Sequence, residues 1–419
     1  MIKPTENNLS FEHLFRHSYG KIVAVLANKY SSKNFDLIED AVQDALLKAM
    51  NVWPYHQYPD NPTAWLYRVA QNILIDNLRK LSKSITIESV DIDLKNQKFI
   101  AEEEFADKIK DNQLKMIFAC CHSELNDTEK IVLSLKFLCG MNIREISRAL
   151  IKNEESIKKT LFRAKKKIQA IKNIFEMPSN IDIQNRLTTV LKIIYLLFNE
   201  GYKATDGEQL IKKDVCEEAI RLALILHDNK QCNIPELNAL LSLMCFNTSR
   251  FDARLDKKGN LVTLENQDKN KWDQEYITWG MYFLQQSSNG ANFSEYHLEA
   301  GIASYYATSK SFEKTNWQAI LNMYDMLLKI KPTPMVALNR LVVLAKVNGV
   351  ETALHQLSSL ENKKQLMNNY LLYSIKADFK ISLKCFEDAR SLLKKAVALS
   401  SNNIEKNYLE NKLINLPEN

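Results

Sequence analysis

Residues 142–172 read NIREISRALIKNEESIKKTLFRAKKKIQAIK. Asn142 followed three residues later by Glu145 has the spacing of a capping box, in which each side chain satisfies a backbone N–H that the first helical turn leaves open. A short helix with Ile143, Ile146, Ala149 and Leu150 follows, and a second starts after Asn153. In the second, Ile157, Leu161, Ala164, Ile168 and Ile171 recur at intervals of four, three, four and three, which places them on one stripe. Lys158, Lys159, Arg163, Lys165, Lys166 and Lys167 fall largely outside it.

Upstream, residues 128–138 make one more helical segment and Gly140 supplies a turn, so the pieces assemble into a helix-turn-helix. A helix roughly 10–12 Å across fits the major groove, where long cationic side chains meet base edges and phosphates together. The charge is placed for that task. A net charge of +6 is modest for 419 residues, yet residues 152–172 hold eight Lys/Arg against Glu154 and Glu155, which accounts for the whole surplus. The plain alternative is a lysine-rich helix that is merely solvated; the capped helix and tight turn ahead of it weigh against that.

Nine glycines and nine prolines are far below the roughly 7% and 5% of average usage, so the turn chemistry that sheets need is scarce and the chain is expected to be all-α. Its length suggests two to four domains. The polar start and the absence of a long apolar run predict no membrane segment and a cytoplasmic protein, and seven cysteines without metal-ligand spacing fit reduced thiols.

Residues 11–81 alternate helical apolar spacing with short breaks; Leu37, Ile38, Ala41, Val42, Ala45, Leu46 and Ala49 form one apolar face, with Glu39, Asp40, Gln43 and Asp44 opposite. From 82 to 112 the periodicity fades and eight Asp/Glu face five Lys, which reads as a flexible or weakly helical linker. Beyond Pro178 helical segments follow one another. Ala319 and Ala353 lie 34 residues apart and Ala389 36 further, each early in an amphipathic helix, with Pro332 closing one unit, a period that matches tetratricopeptide helix pairs.

Residues 61–72 (NPTAWLYRVAQN), with Asp76 and Leu78-Arg79-Lys80 after them, resemble regions 2.3 and 2.4 of sigma-70 factors of the extracytoplasmic-function (ECF) type. Residues 39–44 (EDAVQD) are similar to region 2.2, and 128–168 to region 4. Residues 195–202 (YLLFNEGY), Gln267-Asp268, Trp272-Asp273 and Leu338-Asn339-Arg340 resemble signatures of the ECF subgroup with a C-terminal tetratricopeptide-like extension, often called ECF42. The resemblance implies region 2 over 1–82, an acidic linker over 83–112, region 4 over 113–175, a family-specific helical domain over 176–290 and repeats over 291–419.

It further implies a non-enzymatic initiation factor without cofactor or metal, whose partners are core RNA polymerase (the largest-subunit clamp helices and the flap), double-stranded promoter DNA and the melted non-template strand. A protein partner on the repeats is also expected. Glu39, Asp40, Gln43 and Asp44 would dock on the polymerase. Trp65, Tyr67, Arg68 and Asn72 would hold an unstacked base of the −10 element, which offsets the few kcal/mol that unstacking costs, while Arg79 and Lys80 hold phosphates. Ser156, Lys158, Lys159, Phe162 and Arg163 would face the −35 element, with Arg163 first for base readout and Lys165, Lys166 and Lys167 on the backbone. Trp65 and Tyr67 also read as core aromatics, Trp65 the more strongly. Glu200, Asp268 and Asp273 read as structural acids, and Cys120-Cys121-His122 as a helical segment rather than a zinc site, because adjacent cysteines on a helix diverge by about 100°. A rival reading is a helix-turn-helix regulator that binds DNA without polymerase; another is a repeat scaffold with an incidental basic helix.

Overall fold

A computed structural model of the chain describes residues 11–55, 58–84, 102–150, 152–203, 211–289, 293–361 and 363–417. Helices dominate, and Leu255 pairs with Leu261 in an isolated antiparallel bridge. No helix among them is long and apolar enough to cross a membrane. The chain forms two compact units, Met1–Leu197 with Glu217–Cys232, and Phe198–Cys216 with Asn233–Asn419.

In the first unit, α1 (Phe11–Tyr30), α2 (Phe35–Val52) and α3 (Pro62–Ser84) form a bundle. The expected apolar face of α2 is its packed side: Phe35, Ile38, Ala41, Val42, Ala45, Leu46 and Ala49 are buried, and three alanines at spacing four let neighbouring helices approach closely. Each buried Val, Leu, Ile or Phe contributes about 1.5–3 kcal/mol over exposure. Pro62 at the first helical position, and the Asn61 side chain accepting from the Ala64 N–H at 3.0 Å, start α3 cleanly.

α4 (Glu102–Cys120) begins inside the stretch expected as linker and packs on α1. Of its inward residues, Ile109 lies in that stretch, while Leu114, Met116, Ile117 and Phe118 lie in the helical unit expected from 113 onward. Then come α5 (Asp127–Phe137), α6 (Ile143–Ala149) and α7 (Glu154–Ala170). Capping boxes open α5 through Asn126 and Glu129 and α6 through Asn142 and Glu145. Gly140, at φ +64°, makes the turn between them, a conformation that costs a side-chain-bearing residue steric strain. At Gly20, where α1 crosses the end of α5, an added Cβ would overlap the Leu138 carbonyl.

The unit is completed by parts of α8 (Asn180–Tyr202) and α9 (Lys213–Asp228), which also contribute to the second unit. Arg186 donates to the Phe118 carbonyl at 3.1 Å, and Arg221 donates to Gln113 at 2.6 Å while pairing with Glu218.

The second unit is built around α10 (Pro235–Thr248), apolar on all sides and buried from Leu237 to Phe246, as such a helix must be. α11 (Gln274–Ser287) and α12 (Glu295–Thr308) pack on it, with the Ser242 hydroxyl donating to the Gly280 carbonyl at 2.8 Å. Antiparallel neighbours follow: α13 (Trp317–Ile330) with α14 (Pro334–Asn348), the short α15 (Val350–Leu357) and α16 (Lys364–Met367), then α17 (Tyr370–Ser382) with α18 (Phe386–Leu399) and α19 (Asn403–Ile414). Ala353 and Ala389 are fully buried in the first turns of α15 and α18. Ala319 is half-buried at the third position of α13, where its N–H donates to the Asn316 cap.

Candidate nucleic-acid interface

Asn153 opens α7 by accepting from the Ser156 N–H at 2.7 Å. Ile157, Thr160, Leu161, Ala164 and Ile168 are buried, and the helix ends before Ile171, which is extended and only half-buried. The opposite side carries Glu155, Lys159, Phe162, Arg163 and Lys166, all exposed, with Lys158 exposed on the flank and Ser156 half-buried. Phe162 is 59% exposed, with the Lys166 ammonium 4.6 Å from its ring centre. Such a face offers cations for phosphate and guanine and a ring that can meet a thymine methyl. Lys159 pairs with Glu155 at 2.7 Å in solvent, worth at most about 1 kcal/mol, so it is readily diverted to DNA.

Lys167 is exposed and Lys165 half-buried, and each has an acidic partner within the chain. Lys167 reaches the carboxylate of Glu129 at 2.8 Å. Burial alone would raise the Glu129 pKa, but Lys167 and the N–H at Asn126 outweigh it and hold it below its ordinary value. Lys165 turns instead toward α2.

On α3, Arg68, Asn72, Asp76 and Arg79 recur at four, four and three and are all exposed, so they line one side of the helix; Lys80 is exposed beside them. Arg79 lies 3.6 Å from Asp76. Trp65 is half-buried, edge-on to the buried Trp53 at 5.3 Å, and Trp53 is 4.9 Å from Tyr58. Tyr67 does not share the exposed side. It is 8% exposed, and burial, then the neighbouring Tyr30, pushes its phenol up to about 12, so its ring belongs to the core and offers no base a platform here.

On α2, Asp40, Gln43 and Asp44 are exposed and lie together. Burial and then the acids Glu39, Asp36 and Asp44 raise the Asp40 carboxyl above its usual range, as a crowded acidic ridge should. Glu39 leaves the ridge: its side chain is 14% exposed and bridges Lys136 at 2.5 Å and Lys165 at 3.0 Å. Adjacent helical positions diverge by about 100°, which separates Glu39 from Asp40. Leu47 and Met50, 57% and 52% exposed, continue the ridge and were missed in the sequence; Leu47 stands four residues from Gln43 and three from Asp44. That spacing was the available signal.

The remaining acids have structural partners. Glu200 is buried against Lys212 at 3.2 Å; Asp268 accepts from the Asn270 N–H, and Asp273 caps α11 by accepting from the N–H groups of Glu275 and Tyr276. Gly201 sits where a Cβ would strike Cys216, and Arg254 stacks 3.9 Å over Tyr202. Arg250 donates to Gln267 at 3.1 Å and lies over Trp272, while Arg340 binds Asp325 at 2.5 Å and Gln356 at 2.9 Å. Cys121 is fully buried, and burial pushes its thiol up to about 12, leaving it protonated.

Comparison with known proteins agrees with this geometry. Residues 14–84 match sigma-70 region 2, residues 115–168 match sigma-70 region 4, and residues 186–288 match a family of unknown function, DUF6596. The chain is 32% identical over 391 residues to the Uncharacterized protein R00370 of Rhizobium meliloti (strain 1021), a match covering 92% of this chain and 91% of that protein. It is 29% identical over 143 residues to the ECF RNA polymerase sigma factor SigM of Bacillus subtilis (strain 168), covering 34% of this chain and 83% of that protein. No solved structure matches. The chain belongs to one family with the Rhizobium protein, with which it shares nearly its full length, and it carries at its head, in order, sigma-70 regions 2 and 4, the DNA-binding helix-turn-helix domains of transcription initiation.

Proposed function

We propose that the chain binds core RNA polymerase through the ridge Asp40, Gln43, Asp44 and Leu47 of α2 and directs it to promoters. The −35 element is read in the major groove by Lys159, Phe162, Arg163 and Lys166, with Ser156 and Lys158 at the edge. At the −10 element Arg68 and Asn72 hold an unstacked base beside Trp65, while Arg79 and Lys80 hold phosphates; Tyr67 supports α3 from inside. The observation that carries this reading is the outer face of α7, four contact side chains turned to solvent opposite a fully packed stripe. The family is that of ECF factors with a helical extension, whose second unit takes a protein partner and regulates the first.

Run-off transcription with purified core enzyme on genomic fragments tests this. Initiation at discrete sites that depends on the added chain is expected; no site-specific initiation refutes it. A regulator acting alone would instead bind its DNA at about 10⁻⁸ M or tighter without polymerase.

A further inference from the structure

Trp272, just ahead of α11, is 2% exposed and packs with Phe246 of α10 and Ala307 of α12. Its indole N–H is shut off from solvent and has no acceptor among the described residues. Two cations share its ring: the Lys269 ammonium lies 4.1 Å from the ring centre and the Arg250 guanidinium carbon 5.2 Å. Attraction to the ring, about 0.5–2 kcal/mol for each, brings like charges together. Both are half-buried, and among the described residues neither has a carboxylate partner. Arg250 donates through Nε to Gln267 at 3.1 Å and Lys269 donates to the Tyr306 carbonyl, both neutral acceptors. The Gln267 amide is spent on the Val262 carbonyl at 3.1 Å, and the Asp268 carboxylate accepts from the Asn270 N–H at 3.0 Å.

Charges withdrawn from water are ordinarily paired. Lys331 in the same unit is: Glu299 and Glu295 outweigh its burial and hold its pKa above the ordinary value. At Lys269 burial and then Arg250 lower the pKa to about 8, and no acid among the described residues opposes them. The terminal nitrogens of Arg250, the remaining hydrogens of Lys269 and the indole N–H are all donors, so the missing partner is an acceptor that brings negative charge. A carboxylate would leave one of the two positive charges unbalanced. A singly esterified phosphoryl group carries about −1.5 to −2 at neutral pH on three acceptor oxygens, which matches two charges and three donor groups. The two cations are separated by no more than their two distances to the ring centre together, a gap that one tetrahedral anion bridges through hydrogen bonds of about 2.7–2.9 Å.

We infer that Arg250, Lys269 and the Trp272 N–H form a receptor for the phosphoryl group of a small phosphomonoester, with Gln267 and the Tyr306 carbonyl holding the two cations in place. The covered ring and half-buried cations set the receptor below the surface, which suits a small ligand. It lies wholly within the second unit and does not rest on the sigma reading.

The full chain, isotope-labelled at its five tryptophans, gives indole N–H signals in nuclear magnetic resonance, and Trp272→Phe identifies one of them by its loss. Inorganic phosphate at fixed ionic strength should shift that signal saturably, and acetate should not. Arg250→Gln and Lys269→Gln should each weaken the phosphate response about tenfold or more, while Lys271→Gln, exposed in the same turn, should leave it as it is. No saturable shift in the natural chain, an equal shift with acetate, or an unchanged response in Arg250→Gln and Lys269→Gln overturns the receptor. Should circular dichroism show those two chains to be unfolded, Gln267→Glu takes their place, because it sets a carboxylate of nearly the same shape against Arg250. It should abolish the response, and an undiminished one overturns the receptor. Glycerol 3-phosphate should act as phosphate does; a phosphoserine peptide that binds more tightly than glycerol 3-phosphate would overturn the small ligand.

Discussion

The ring of Phe35, the first residue of α2, stacks on that of Phe137, the last residue of α5, with centroids 4.6 Å apart and planes 24° from parallel. Phe175 meets Phe35 edge-on at 6.2 Å. Both stacked rings are buried, so they add apolar contact between the region 2 bundle and the helix-turn-helix. Phe35→Ala should destabilise the first unit by about 3–5 kcal/mol. A double-mutant cycle with Phe137→Ala should return a coupling of about 0.5–1.5 kcal/mol in urea unfolding. Additive losses would show that the rings are packed independently.

Arg163→Ala should weaken transcription from promoters that carry the −35 element by about 1–3 kcal/mol, roughly 5- to 150-fold, and spare those without it. Parallel run-off assays on the two promoter types check this. Equal losses on both would assign Arg163 to the backbone alone.

Asp44→Arg should reduce co-purification with core polymerase while shifting stability by no more than about 0.5 kcal/mol, because the side chain is exposed and away from the packed face of α2. Unchanged association would remove the ridge from the polymerase interface.

Lys21 is half-buried, 2.5 Å from His17. Burial and then Arg221 lower its pKa from 10.5 to about 7, against a smaller opposing effect of Glu218. Between those values the unfolded chain binds more protons than the folded one, so this residue makes stability rise with pH from about 7 to 10.5. Lys21→Met should therefore unfold at higher temperature than the natural chain near pH 7, with the difference shrinking toward pH 10. A difference independent of pH would show that Lys21 is charged throughout.

What could be read in advance was local. The capping box at Asn142, the cap at Asn153 and the stripe from Ile157 to Ile168 are encoded within four residues of one another, and the structure forms all of them; the box at Asn126 has the same spacing and was passed over. What could not be read depends on partners distant in the chain. Glu39 and Asp40 look alike as neighbouring acids, and Lys165 and Lys166 as neighbouring cations; only the fold, which brings position 165 to position 39, decides which member of each pair is engaged. Tyr67 and Arg68 diverge in the same way, one into the core and one into solvent. The start of α4 was hidden because a charged segment satisfies helix propensity and linker composition equally.

Across the bare Cα of Gly20, α1 touches the Leu138 carbonyl, so the fit between the two promoter-reading modules hangs on a single hydrogen atom. Any side chain at that position acts as a wedge. One codon is then enough to disturb the seam between α1 and the end of α5, with every side chain on the outer face of α7 left as it was.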